Sequence, residues 1–455
     1  MMQRRMCLAM AFLCALPSNV IGQQAKRAVP EYHIYAGSTH AHSAFTWSHG
    51  EMLAKNGCAG VAVYSLKPAS EVLFDWSKPP LKNEKGCYSM YVINGFQYHT
   101  PDMPLRPDWK LFQGPPSDHF AKAKTSGFDW YVVTDHSQEA AFFPLGPNNP
   151  QWMASKKEAA EATDRDFVAL AGFEFSENDG PGGTGHINVI NSEGIVDALL
   201  PGVDLNYFYR WLANVRPNGS GPVVASFNHP SRHSYADFTG RTPAATEVIT
   251  LFEVLNSNWH VHYEGYLAAL DAGWKVSPTS GLDNHGTRGI ATLKSRAFVL
   301  AESKTKTAIL NAMKQRRTYA SLDKNIQCRY MVNGAIMGST LKKPTVFRFQ
   351  IQVSDPDVND PKAKITRLDI VKDGGTVVET YQPPAPSTTV SWNPEIRDAG
   401  AHYFFVRVWN SGGGDSPKPD PTQPIAWLAP VWTGVPSPMK PMLKPDEVKG
   451  DKSEQ

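Results

Sequence analysis

Tyr131-Val132-Val133-Thr134-Asp135-His136 reads as a β-strand whose last two residues are a carboxylate and an imidazole. Its first four residues are β-branched or aromatic, the types that fit a pleated, buried surface. A polar pair at the C-terminal end of such a strand belongs where β/α folds build their sites. The same arrangement recurs along the chain. Ala169-Leu170-Ala171-Gly172-Phe173-Glu174-Phe175 carries a carboxylate that would be costly to bury unpaired. Gly185-His186-Ile187-Asn188 and Ser226-Phe227-Asn228-His229-Pro230 each set a histidine beside a strand. Ser280-Gly281-Leu282-Asp283-Asn284-His285 offers a carboxylate and an imidazole two residues apart, and Ser38-Thr39-His40-Ala41-His42-Ser43 offers two imidazoles at that spacing. In extended chain, residues two apart point the same way, so each pair can face one cation. Any one of these stretches reads equally as a satisfied core or loop polar residue. Their succession at strand ends points instead to a metal site built from imidazole and carboxylate.

Reading outward, strand windows at 33–38, 128–134, 167–173, 186–190, 223–227, 248–255, 275–279 and 296–300 alternate with helical windows at 118–125, 156–165, 206–215, 263–272 and 306–317. This alternation predicts an α/β fold on a parallel sheet, and about eight strands favour a β/α barrel, with an open doubly wound sheet as the competing architecture. Past residue 322 the helical patterning stops. Strands at 345–353, 365–371 and 376–381, the latter two around the turn Lys372-Asp373-Gly374-Gly375, are followed by strand material at Trp392, 403–409 and 426–432. They predict a small all-β sandwich. The expected organisation is a barrel over residues 30–320, a sandwich over 325–434 and a disordered tail over 435–455, rich in Pro, Lys and Glu. Residues 58–116, dense in Pro, Gly and aromatics, read as a long insertion on the barrel.

Of the 455 residues, 41% are apolar and 19% charged, enough to bury a large core. The formal charge of +2 is spread over interspersed bases and acids, which argues against nucleic acid as a partner. Met1 to Arg5 is basic, and the apolar run from Met6 to Leu16 falls short of the roughly 20 residues a spanning helix needs. Residues 1–22 therefore read as a secretory signal peptide rather than a membrane anchor, and the protein is expected to be exported, to a periplasm or the cell exterior. Cleavage there would leave 43 basic and 43 acidic residues. In an oxidising compartment Cys58 and Cys87 could close a disulfide worth about 3–4 kcal/mol, or stay as two buried thiols, with Cys328 left over. Without a CxxC pair, a thiolate zinc site has no support.

The ordered series of motifs resembles the PHP (polymerase and histidinol phosphatase) superfamily, over residues 32–298, about three fifths of the chain. Arg317-Thr318-Tyr319-Ala320 and Ala426-Trp427-Leu428-Ala429-Pro430 resemble exported members with a β domain behind the barrel, a neighbourhood that includes relatives of the carbaryl hydrolases. The resemblance implies a distorted β/α barrel holding two or three divalent metal ions, with Zn, Mn and Fe the candidates. It implies His40, His42, Glu174 and Asp283 on one ion, with Glu174 bridging to a second held by His186 and His229. A third would take His136, His285 and a ligand near the end of the first motif. The family's usual Asp or His at that place is Ser48 here, and His49 is assigned instead. The activity implied is metal-activated hydroxide attack on a phosphomonoester or small phosphodiester. Hydrolysis of a carboxylic or carbamate ester on the same centre is the alternative, and a non-catalytic secreted binding protein a third reading.

Two cations sharing a water suit any of these esters, because they lower the water's pKa and stabilise charge on attacking and leaving oxygens. Asp135 is a candidate orienter or proton acceptor, or a structural hydrogen-bonding residue. Arg232 and Arg288, near His229 and His285, are candidates to meet a substrate oxyanion, or solvated rim charges. His260-Val261-His262 repeats the HxH spacing without further ligands nearby. The aromatic run Tyr207–Trp211 reads as helix packing, and Trp392, Trp409, Trp427 and Trp432 as core or, alternatively, a polysaccharide platform. The expected partner is a small-molecule ester. The metal, the natural substrate and the oligomeric state are not legible.

Overall fold

A computed structural model describes residues 31–46, 81–82, 89–93, 96–100, 111, 113–139, 142, 146, 148–177, 185–198, 203–257 and 259–436. The expected signal peptide, nearly all of the expected tail, His49, Cys58 and Cys87 lie outside the described residues, as does much of the expected insertion. Within that insertion, Leu81–Lys82, Ser89–Ile93 and Phe96–Thr100 form a small antiparallel sheet.

The protein is mixed α/β and dominated by sheet. Each of the eight strand windows is a strand: β1 (His33–Ser38), β2 (Trp130–His136), β3 (Val168–Glu177), β4 (Gly185–Ile190), β5 (Val224–Asn228), β6 (Ile249–Asn256), β7 (Ser277–Gly281) and β8 (Arg296–Ala301). They run in the order β6-β5-β4-β3-β2-β1-β8, with β7 on the other side of β6. The expected parallel sheet is corrected to a mixed one. β1 with β2, β2 with β3, β5 with β6 and β6 with β7 are parallel. β4 runs antiparallel to both neighbours, and β8 antiparallel to β1. The reversal of β4 follows from chain length: residues 178–184 are too few for a crossover, which takes a dozen or more, so β3 and β4 form a hairpin.

Beyond their strands, the continuations of β1 and β7 meet. Thr39 N donates to Ser280 O at 3.3 Å, Asp283 N to His40 O at 3.0 Å and His42 N to Asn284 O at 3.0 Å, with a parallel bridge between Ala41 and Asn284. The segments that follow β1 and β7 thus run side by side at one rim. Between β1 and β2, Gly37 leaves room for the Trp130 ring, which a Cβ there would approach to 2.1 Å. The flanking helices α1 (Pro116–Thr125), α2 (Pro150–Ala162), α3 (Leu205–Leu212), α4 (Tyr263–Asp271) and α5 (Lys306–Lys314) match the five helical windows. Asn149, Asp204 and Thr305 cap α2, α3 and α5 by accepting backbone N–H bonds three residues on. α3 buries Phe208, Tyr209 and Leu212, as helix packing requires. No helix among the described residues is long and apolar enough to cross a membrane.

β9 (Thr318–Ser321) pairs with β8 and carries the ladder onward. The following strands are β10 (Gln327–Val332), β11 (Val346–Ser354), β12 (Ile365–Lys372), β13 (Thr376–Tyr381), β14 (Thr389–Trp392), β15 (Tyr403–Asn410), β16 (Ala426–Leu428) and β17 (Val431–Trp432). The long sheet continues from β9 through β16, β15 and β12 to β13, while β10, β11 and β14 belong to a separate five-stranded sheet. In β11, Phe347, Phe349, Ile351 and Val353 alternate inward with period two. Phe347 meets Phe404 of β15 at 4.7 Å, so side chains of the two sheets are in contact. Trp409, Trp427 and Trp432 are buried, as their core reading requires, while Trp392 is partly buried and stacks on Tyr381; Cys328 is a buried free thiol.

Candidate metal centre

Six strands, β1 to β5 and β7, deliver polar side chains to the rim where the segments after β1 and β7 meet. His40 and His42 come from the extended segment after β1, and their Nε2 atoms lie 3.0 Å apart. Glu174, in β3, is the hub. Its Oε1 lies 3.3 Å from His40 Nε2, 3.1 Å from His186 Nδ1 and 3.4 Å from His229 Nε2. Its Oε2 lies 3.1 Å from His136 Nε2 and 3.6 Å from His42 Nε2. Asp283 Oδ1 faces His42 Nε2 at 3.0 Å, His40 Nε2 at 3.4 Å and His285 Nε2 at 3.9 Å. Four groups of ligand atoms are compact enough to hold an ion: His40 with His42 and Glu174; Glu174 with His186 and His229; His42 with Asp283 and His285; and His40 with His229 and Glu253. Two of these candidates have positive φ, His229 at 29° and Asp283 at 50°. Such backbone costs energy in a non-glycine residue, and it is held here by the surrounding ladder.

The electrostatics fit cations. Burial pushes the Glu174 carboxyl up, but His40 and His186, with hydrogen bonds from His136 and His186, outweigh it and hold the group well below the usual carboxylate range. Asp283 is held low likewise, burial being overcome by His40 and by the bond to His42. Burial lowers His40 and His136, yet Asp283, Glu174 and Glu253 raise His40 well above its ordinary value, and Glu139 and Glu174 bring His136 to about 9. His42 falls to about 3 through burial and the neighbouring His136. Without cations the cluster keeps its carboxylates ionised by holding protons on imidazoles, and those protons occupy ligand positions.

The structure therefore brings together His40, His42, His136, Glu174, His186, His229, Asp283 and His285. The reversal of β4 is what allows His186 to join them, since its N-terminal end lies beside the C-terminal ends of β3 and β5. Asp135 points elsewhere. Its Oδ1 accepts from Ser43 N at 2.6 Å and Thr46 Oγ1 at 2.8 Å, and its Oδ2 from Ser43 Oγ at 2.7 Å. It fixes the segment that carries His40 and His42, and burial, only partly offset by these bonds, lifts it to about 6. Arg288 is exposed at the start of a short helix, Arg288–Thr292. Arg232, also exposed, lines a cleft of about 590 Å³ with Glu264, Leu267, Asp271 and Gly374; none of the described lining residues belongs to the cluster. His260 is exposed, and the His262 ring lies 6.4 Å from that of His229.

Sequence reasoning missed Glu253. Fully buried in β6, it accepts from His40 Nδ1 at 3.0 Å and from His229 N at 2.7 Å. The first bond leaves His40 Nε2 turned toward the cluster, the usual part of a carboxylate behind a metal-binding imidazole. The signal was present: a carboxylate inside Ile249-Thr250-Leu251-Phe252-Glu253-Val254-Leu255 needs a partner if the run is buried. Asn228 Nδ2, 2.8 Å from Glu174 Oε1, and Asn256 Nδ2, which bridges Glu253 and Asp283, were missed as well.

No family model matches the chain, and no curated protein is significantly similar to it. Among solved structures, the chain is similar to a two-domain protein from Bacteroides vulgatus ATCC 8482 containing a predicted PHP-like metal-dependent phosphoesterase. The TM-score is 0.39 and the identity 13%, over 89% of this chain and 98% of that one.

Proposed function

We propose that the protein is a metal-dependent hydrolase of the PHP type, acting on a phosphomonoester or small phosphodiester. The observation that carries this reading is the sharing of one buried carboxylate, Glu174, by two separate three-ligand groups. The donor set fits divalent cations of the Zn, Mn or Fe kind, being imidazole and carboxylate throughout. His40, His42, Glu174 and Asp283 would hold one ion, and Glu174 with His186 and His229 another. His136 and His285, near His42 and Glu174, would serve a third together with His49. Bound cations supply a water of lowered pKa and neutralise charge on the ester oxygens.

The chain's own residues do the rest. Glu253 holds the His40 ring through Nδ1, Asn228 donates to Glu174, and Asn256 ties Glu253 to Asp283. Asp135 anchors the first motif from behind. Arg232 and Arg288 are proposed to meet the substrate's anionic oxygens from the rim. The joined segments after β1 and β7 support the distorted-barrel reading, and the contacts of Phe347 with Phe404 and of Trp392 with Tyr381 between the two sheets support the sandwich. The basic and apolar start of the sequence supports export.

The test is metal analysis with a substrate panel. Purified protein should carry two or three equivalents of metal and hydrolyse chromogenic phosphoesters. Less than one equivalent sinks the multinuclear centre; inert phosphoesters with turnover of naphthyl esters or carbamates would move the reaction to carboxylic or carbamate esters.

Metal uptake should also release protons. At pH 7.5 the metal-free protein holds protons on His136, whose value is about 9, and on His40. A ligating imidazole must give up that proton, so loading should release about one to two protons per centre, and apparent affinity should rise with pH until about 9. An indicator dye in weak buffer measures this. Affinity that falls as pH rises from 6 to 9 would contradict the assignment.

A further inference from the structure

Shortly after β5 the chain makes a left-handed turn. Tyr235, Ala236, Asp237 and Phe238 have φ of 55°, 51°, 54° and 58°, four successive residues in the left-handed region with no glycine among them. L-residues avoid that region because Cβ crowds the following carbonyl, and those that enter it do so singly rather than in runs. Such a run persists only where its surroundings over-determine it. They do so here. Tyr235 and Phe238 are fully buried, their rings lie 4.3 and 5.4 Å from that of Phe227 in β5, and Trp274 Nε1 donates to Phe238 O at 2.9 Å.

What the turn delivers is the Tyr235 hydroxyl. It accepts from Asn228 N at 3.2 Å and donates to His186 O, with Asn228 O also 3.2 Å away. His186 and Asn228 stand opposite each other where β4 begins and β5 ends. Their side chains converge on one atom: His186 Nδ1 lies 3.1 Å and Asn228 Nδ2 2.8 Å from Glu174 Oε1. His229, next along the chain, brings its Nε2 to 3.4 Å from the same oxygen. A single hydroxyl thus ties together the backbones of two residues that flank Glu174 Oε1. Burial pushes that hydroxyl well above its ordinary value, so it keeps its proton and stays a donor. The fit is close on its other side too. At Gly185, just before His186, a Cβ would lie 2.6 Å from Tyr235 Cε1, and φ there is 119°.

We propose that Tyr235 is a positioning residue for the ion of the Glu174, His186, His229 group, and that the left-handed turn serves to hold its hydroxyl against β4 and β5. The inference rests on the reading of the centre as metal-binding. The other side of the centre is fixed by different groups, Glu253 behind His40 and Asn256 on Asp283. Loss of the hydroxyl should therefore loosen one ion and spare the other.

The test uses the full chain. Tyr235→Phe keeps the ring and its packing and removes only the oxygen. In a calorimetric Zn2+ titration of metal-free protein, one ion should bind about tenfold or more weakly than in wild type while the other is unchanged. Activity should be low at limiting Zn2+ and return toward wild type as Zn2+ is raised. Leu212→Ala, which truncates a buried side chain of α3, marks a purely structural loss: a lower Tm with unchanged Zn2+ affinity. The Tm of metal-free Tyr235→Phe should fall less than that of Leu212→Ala. A metal-loaded wild type matched by Tyr235→Phe in Zn2+ affinity overturns this inference alone. So does a variant that weakens both ions alike, or one whose Tm collapses and whose activity added Zn2+ does not restore. Less than one equivalent of metal in wild type sinks the centre and this inference with it.

Discussion

Glu174→Ala is expected to lower hydrolysis by about three orders of magnitude or more and to cut bound metal below one equivalent. Without this carboxylate the group His40, His42, Glu174 loses its anion, and His186 and His229 are left as two neutral ligands, fewer than a stable site requires. The deficit is one of charge as much as of ligand number. Glu174 is among the groups that raise His40 and His136, so its removal also leaves five imidazoles facing one another with less anion between them. Glu174→Gln, nearly the same in volume, should be about as inactive, which separates lost charge from lost packing. Near-ultraviolet circular dichroism should match wild type in both variants. A Glu174→Ala protein with full metal content and more than about a tenth of the activity would remove the bridging role.

Gly281→Ala, the smallest substitution available, should have the second largest effect. A Cβ at this position would lie 1.6 Å from Glu253 Oε1 and 2.6 Å from His40 Cβ. Neither can yield cheaply. Glu253 is fully buried and tied to His40, His229 and Asn256, and His40 belongs to the cluster itself. Overpacking of this kind costs about 1–3 kcal/mol, and displacement of the carboxylate behind His40 should lower metal affinity about 10–100-fold. The double variant Gly281→Ala, Glu253→Ala should recover part of the stability in a denaturant melt but not the metal affinity. Equal stability and metal content in Gly281→Ala and wild type would show that Glu253 does not hold His40.

The candidate site was legible because its chemistry is repeated: imidazoles and carboxylates placed beside apolar strands are conspicuous one by one and convincing as a series. Strand positions were legible for the same reason, from β-branched and aromatic runs. Direction was not. The hydrophobic run of β4 has no polarity that shows which way it lies, and only the shortness of residues 178–184 bears on it. Glu253 escaped notice because the reading looked for ligands at strand ends, whereas the carboxylate that holds a ligand from behind occupies a strand interior. Asp135 was read as an orienter or proton acceptor beside His136, or as a structural hydrogen-bonding residue. Neighbours along a strand face opposite sides, so the pair was divided between the cluster and the segment it supports.

The unbroken ladder from β8 through β9 into β16 bears on how such a chain can change over generations. A C-terminal segment attached only through a linker can be lost, exchanged or duplicated at little cost to what precedes it. Here its removal would strip β9 of its outer partner and leave an open row of backbone donors and acceptors, a template for aggregation. The two parts of the chain are therefore bound to a shared inheritance, and a lineage that dispensed with the second would first have to rebuild the border of the first.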